Sequence, residues 1–284
     1  MITFSKLGEA GRLGNQLFQY AALKSAGLRR GYEVRIPDPN EMEWHGQKCL
    51  LNNFNLDCNY LNGQDDIFNK FFELGIGEFD ERILNLPDET DLYGFFQNVN
   101  YFQDYDSQIR EEFKLKQELV DAAGAYLNKF DKEVVSVHFR RGDNTDGTNL
   151  LPANYLGGSG SLSRDTILHS HLDDSLEYFK DKDVYYLVFS GGSRDPELGN
   201  KEDLAWCRDN FNGDNIFYSE GHKDILDFTI MSMCDHNIAC HSTSFGWWAA
   251  YLNSNPNKIV VVPANYDLEK RDRQGMYPKD FIQI

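Results

Sequence analysis

Apolar residues fill almost every position of 134–139 (VVSVHF), 184–190 (VYYLVFS) and 258–263 (KIVVVP). Such runs mark strands buried on both faces of a parallel sheet. Between and around them the apolar spacing lengthens to three or four residues, at 164–180, 201–211, 223–234 and 244–252, which predicts helices. Shorter strands are expected at 215–219 and 236–240. The chain opens the same way, with a β-prone 2–7, a helix over 17–31 and a strand over 32–37. Leu17, Tyr20, Ala21, Leu23 and Leu28 give that helix an apolar face, Arg29 and Arg30 suit its last turn, and Gly31 its stop. Residues 38–90 show no clear period, and helices are expected again around 100–130. This alternation predicts an α/β protein of two Rossmann-like, doubly wound domains. The boundary is expected near 131, giving domains 1–131 and 132–284, with the tail able to pack back on the first. Ligands of such folds bind beyond the carboxyl ends of the strands.

Composition narrows the ligand. The 284 residues are 41% hydrophobic and 14% aromatic, enough for packed cores, and the net charge is −17. A surface that acidic repels nucleic acid and anionic lipid, so any basic cluster serves a local anion. No segment has the apolar length of a bilayer span, and MITFSKLGEA lacks the layout of a signal peptide. Cys49, Cys58, Cys207, Cys234 and Cys240 are odd in number and form no CxxC, which predicts thiols in a reducing compartment. A cytoplasmic protein is expected, with peripheral attachment at the inner membrane face left open.

Against that acidity, VVSVHFRRGDN (134–144) places two arginines at the end of a core strand. Strand alternation puts Ser136, His138 and Arg140 on one face and Val135, Val137 and Phe139 on the other. Arg141 falls at the strand-to-loop junction, Gly142 permits a turn, and Asp143 can accept from a guanidinium or from loop amides. The planar arginine fork binds two phosphate oxygens at once. The alternative is a surface Arg141–Asp143 ion pair beside a satisfied core histidine. HSTSFGWWAA (241–250) puts Ser242, Thr243 and Ser244 where a helix begins, either as an anion site or as simple caps. GEAGRLGNQ (8–16) has glycines at 8, 11 and 14, not the dinucleotide spacing, and Asp38 follows only after Pro37. Asp65–Asp66 and Asp173–Asp174 read as solvated charge rather than metal ligands, and no zinc or P-loop pattern is present.

Four stretches together carry a family resemblance: GRLGNQLFQYAAL (11–23), YGFFQNVNYF (93–102), VHFRRGD (137–143) and CDHNIACHSTSFGWWAAYL (234–252). They resemble the bacterial α-1,2-fucosyltransferases of glycosyltransferase family 11. The resemblance implies a GT-B fold, two Rossmann-like domains facing a cleft. It also implies GDP-β-L-fucose as donor, a terminal galactoside in a glycan as acceptor, inversion to Fuc-α-1,2-Gal, and no metal or other cofactor. Carried onto this sequence, Arg140 meets the β-phosphate and Arg141 assists. His138 orients the cluster or touches the nucleotide, Asp143 holds the arginines or the guanosine side, and Ser190, Ser242, Thr243 and Ser244 complete the donor site. Arg12, Asn15 and Gln16 reach the donor from the first domain, with Asn15 across the cleft, and Phe95, Phe96 and Gln97 line the acceptor side or the interdomain wall. The catalytic set is Arg140, Asp143 and Asn15.

Two positions depart from the family pattern. Ser190-Gly191-Gly192 stands where it has S-D/N-D, so a carboxylate contact is missing or moved to Asp195, and His241 replaces an asparagine. The general base stays open among Asp143, Asp38, Glu41, Glu43 and His45. Rival readings are an NAD-dependent oxidoreductase, a non-catalytic carbohydrate-binding homologue and a fucosyltransferase of another linkage.

Overall fold

The computed structural model describes residues 1–9, 11–44, 47–63, 67–141, 171–191, 201–240, 243–264 and 275–284. The chain divides into two compact units, Met1–Gln117 with Arg273–Pro278, and Glu118–Asp272 with Lys279–Ile284. The expected boundary near 131 thus differs from the observed one, because the helix after Gln117 groups with the second unit.

In the first unit, β1 (Ile2–Thr3) leads into α1 (Leu13–Arg30) and then β2 (Val34–Ile36). A small antiparallel pair, β3 (Glu43–Trp44) and β4 (Gln47–Lys48), stands apart. With β5 (Asn59–Tyr60), β6 (Asn69–Phe72) and β7 (Thr90–Tyr93), the main sheet runs β5-β2-β1-β7-β6, all parallel. α2 (Asp106–Glu112) follows. The period-free region 38–90 therefore holds the small β3–β4 pair and two strands of the main sheet, and leads into a third strand of that sheet. They are too short for a pattern to show, and Asp91 lies buried in β7. α1 starts at Leu13, four residues before the apolar spacing suggests, and is buried almost all round from Leu13 to Gly27, including Gln16, Gln19, Lys24 and Ser25. Its stop at Gly31 is as expected, in the left-handed conformation with its N–H on the Gly27 carbonyl.

The second unit starts with α3 (Gln117–Leu127) and adds β8 (Glu133–Phe139), β9 (Val184–Ser190), α4 (Lys201–Asn210) and β10 (Ile216–Tyr218). It continues through α5 (Asp224–Met233), β11 (His236–Ala239), α6 (Ser244–Leu252), β12 (Val260–Val262) and β13 (Ile282–Gln283). The six strands form one parallel sheet in the order β10-β9-β8-β11-β12-β13. Val135, Val137 and Phe139 pack with Val188, Cys207, Phe211 and Ile238 in one core cluster, as the alternation predicts. All five cysteines are thiols, four buried and Cys58 half-buried. Among the described residues no helix is long and apolar enough to cross a membrane.

Candidate active site

The chemistry of the second unit gathers at the carboxyl end of β8, the central strand. His138 is buried, and its Nδ1 lies 3.0 Å from the Thr243 hydroxyl, which also accepts the Gly246 N–H at 3.0 Å. Thr243 is thus the cap of α6, as its place at a helix start predicts, and also a tether for the histidine. Burial, and then the nearby Arg140 charge, push the His138 pKa down to about 3, so the ring is neutral at ordinary pH. A Cβ on Gly246 would come within 2.7 Å of His138 Nδ1, so only glycine lets α6 approach the strand this closely. Ser244 opens the first turn of α6, at the positive end of the helix dipole.

Arg140 follows directly. Its backbone N–H donates to Cys240 Sγ at 2.8 Å, at the end of β11. Its guanidinium reaches the other way, with Nη1 3.3 Å from the Gly191 carbonyl beyond β9 and 3.4 Å from the Arg141 carbonyl. Arg140 therefore bridges the carboxyl ends of three adjacent strands. Ser190 is buried, and its hydroxyl donates to the Phe139 carbonyl at 3.0 Å, clamping β9 to β8. Gly191 has φ +144.

Arg141 is held by α4. Its Nε lies 3.5 Å from Asp203 Oδ1, with the two side chains only 11% and 9% exposed, and its guanidinium lies 4.0 Å from the centroid of the Trp206 ring. Trp206 in turn meets Phe139 edge to face. Asp203 and Trp206 belong to α4 and are not among the site residues expected from the sequence. The signal was available: Leu204, Cys207 and Phe211 form its inward stripe, and Asp203 and Trp206 flank that stripe. A further polar group lies at the end of β10. Ser219 Oγ donates to the half-buried Asp227 at 2.6 Å and lies 3.0 Å from His222 Nδ1, and burial raises the Asp227 pKa.

In the first unit, Gly11 has φ +99 and Arg12 caps α1 through its backbone. Asn15 folds back over Gly11, and its Oδ1 accepts from Gln97 Nε2 at 2.9 Å. Gln16 is buried, donating to the Gly11 carbonyl and accepting from the Cys49 thiol, so it is a brace for the loop rather than an exposed ligand. The structure corrects Phe96 as well. It is fully buried against Phe4, Phe71 and Tyr101 and cannot line an acceptor surface. The cause is Glu73, whose carboxylate accepts the N–H groups of Phe95 and Phe96 and the Tyr101 hydroxyl, holding Phe96 at φ +52 with its ring inward. Phe95 stays half-buried.

Asn15 and Gln97 are thus brought together in one unit, and His138, Arg140, Arg141, Ser190, Thr243 and Ser244 in the other. Asp143, Ser242, Asp195, His241, His45, Gly142, Gly192 and the Asp65–Asp66 pair lie outside the described residues. Among the described residues no group of three or more His, Cys, Asp or Glu side chains converges on a metal position.

Two parallel-sheet α/β units, one with arginines and a capped helix start at its central carboxyl edge, give the GT-B fold class. A solved structure of POFUT1 in complex with GDP shares it, with a TM-score of 0.50 over 92% of this chain and 97% of that one at 11% identity. The chain belongs to glycosyl transferase family 11, whose family profile matches residues 6–284. An α-1,2-colitosyltransferase of Escherichia coli is 24% identical, over 97% of each chain. Galactoside α-(1,2)-fucosyltransferase 1 of Mus musculus is 27% identical over 91% of this chain, which spans 65% of that protein's length.

Proposed function

We propose that the chain transfers L-fucose from GDP-β-L-fucose to the 2-hydroxyl of a terminal galactose, with inversion and without a metal ion. The observation that carries this reading is Arg140. It is a guanidinium at the carboxyl end of the central strand, in a family whose relatives are named for α-1,2 transfer of fucose or colitose. Breaking the glycosidic bond builds negative charge on the β-phosphate. A fixed guanidinium and a helix start stabilise that charge as it grows. His138, neutral and tethered to Thr243, adds shape and hydrogen bonding without changing the charge. Asn15, positioned by Gln97, is assigned to the donor sugar, and Asp143 to the arginine loop.

Incubation with GDP-fucose and lactose, with and without a chelator, tests the reading. GDP release in both tubes supports it. No release in either, or release only without chelator, contradicts it. A second reading has a specific support in the E. coli relative matched over 97% of its length. There the donor sugar is colitose, which is 3-deoxyfucose, and competition between GDP-fucose and GDP-colitose separates the two.

A further inference from the structure

We propose that Asp203 and Trp206 are positioning residues that fix Arg141 as a wall of the donor site, so that the second arginine of the pair acts through placement rather than by gripping phosphate. The inference rests on the GDP-sugar reading above and divides the labour between the two arginines.

Three observations lead to it. The Arg141 side chain is 11% exposed, which leaves little surface to meet a phosphate. Its guanidinium is held on one side by a carboxylate and on another by an indole face, the pairing that cation–π attraction favours. The two holders sit at i and i+3 on α4 and so face the same way. Cys207, one residue further, touches the same region, because Ser190 and Arg141 both act on its thiol, whose pKa burial pushes up to about 12. One face of α4 thus holds Arg141 and borders Ser190, which clamps β9 to β8. The Arg141 N–H donates back to the Phe139 carbonyl at 3.1 Å, so the backbone between the arginines is folded tightly. Fixing Arg141 therefore also fixes the point from which Arg140 departs toward Gly191.

The sign of one substitution separates the proposal from direct phosphate binding. Asp203→Asn removes a carboxylate that would compete with phosphate for Arg141. If Arg141 grips phosphate, GDP binds the variant as tightly as the wild type, or more tightly. If Asp203 positions Arg141, GDP affinity falls by about tenfold, the scale of one lost charge-assisted contact, while guanosine affinity is unchanged. Trp206→Leu should behave like Asp203→Asn, and Trp206→Phe should recover most of the loss by keeping an aromatic face. Calorimetric titration of GDP and guanosine, with thermal melts to confirm folding, reads all of these. Should Asp203→Asn not fold, the Trp206 pair gives the same comparison. Unchanged or tighter GDP binding, or an equal loss for guanosine, overturns the proposal. Failure of the wild type to bind GDP would instead overturn the GDP-sugar reading.

Discussion

Gly246 and His138 meet so closely that a single methyl group would separate them: a Cβ on Gly246 would stand 2.7 Å from the ring nitrogen. In an ordinary helix, replacing glycine by alanine stabilises by about 1 kcal/mol. Here the sign reverses. Gly246→Ala should destabilise by about 1–3 kcal/mol, the usual cost of overpacking, and should weaken GDP binding because α6 is pushed from the strand. Thermal melts and a GDP titration check both effects.

His138 predicts a pH dependence. Its pKa is lowered from 6.5 to about 3 in the folded protein, and that of His171, buried against the Ala239 carbonyl, to about 4. Above pH 6.5 both are neutral, folded or unfolded, and add no slope. Below it the unfolded chain takes up protons that the folded chain refuses, so stability falls as the pH drops toward 3–4. At pH 5 each histidine should cost about 2 kcal/mol relative to pH 7. Urea unfolding of the wild type and of His138→Asn at the two pH values reads the His138 share as the difference between their pH responses, about 2 kcal/mol. GDP affinity should show no histidine titration between pH 6 and 8 that traces to His138.

Glu73 should matter to folding. Glu73→Ala leaves the Phe95 and Phe96 amides without their acceptor, while the Tyr101 hydroxyl keeps the Glu78 carbonyl, and should cost about 2–4 kcal/mol. Glu73→Gln, which keeps one acceptor oxygen, should cost less. Denaturant midpoints at neutral pH test the order.

How much of this was legible in the sequence follows from burial. The second sheet could be read because β8, β9 and β12 are covered on both faces, and long apolar runs need no partner to be recognised. The first sheet was largely hidden, because β5, β6 and β7 run only two to four residues and Asn69, Lys70 and Phe72 on its edge strand are exposed. Strand alternation singles out Arg140 and a helix start singles out Thr243, while Asn15 is named by the family resemblance alone. The sequence could not show that Arg141 is claimed by Asp203 and Trp206, more than sixty positions away, since that pairing exists only once α4 packs beside β9. Nor could it show Phe96 turning inward, because Glu73 closes that turn from another strand end.

Arg140 separates chemistry from architecture. Arg140→Ala should lose about 100- to 1,000-fold in kcat, with a thermal melt to confirm that the variant folds. Arg140→Lys should recover only part, because an ammonium cannot form the bidentate contact. Equal activity in the alanine variant would remove Arg140 from the site.

The most direct measurement is the product itself. GDP-fucose and lactose are incubated with the protein, and the linkage and anomeric configuration of the trisaccharide are determined by NMR. The account predicts fucose joined α to O2 of the galactose, with GDP released in equal amount. A different linkage, retention of the donor's β configuration, or no trisaccharide at all would contradict it.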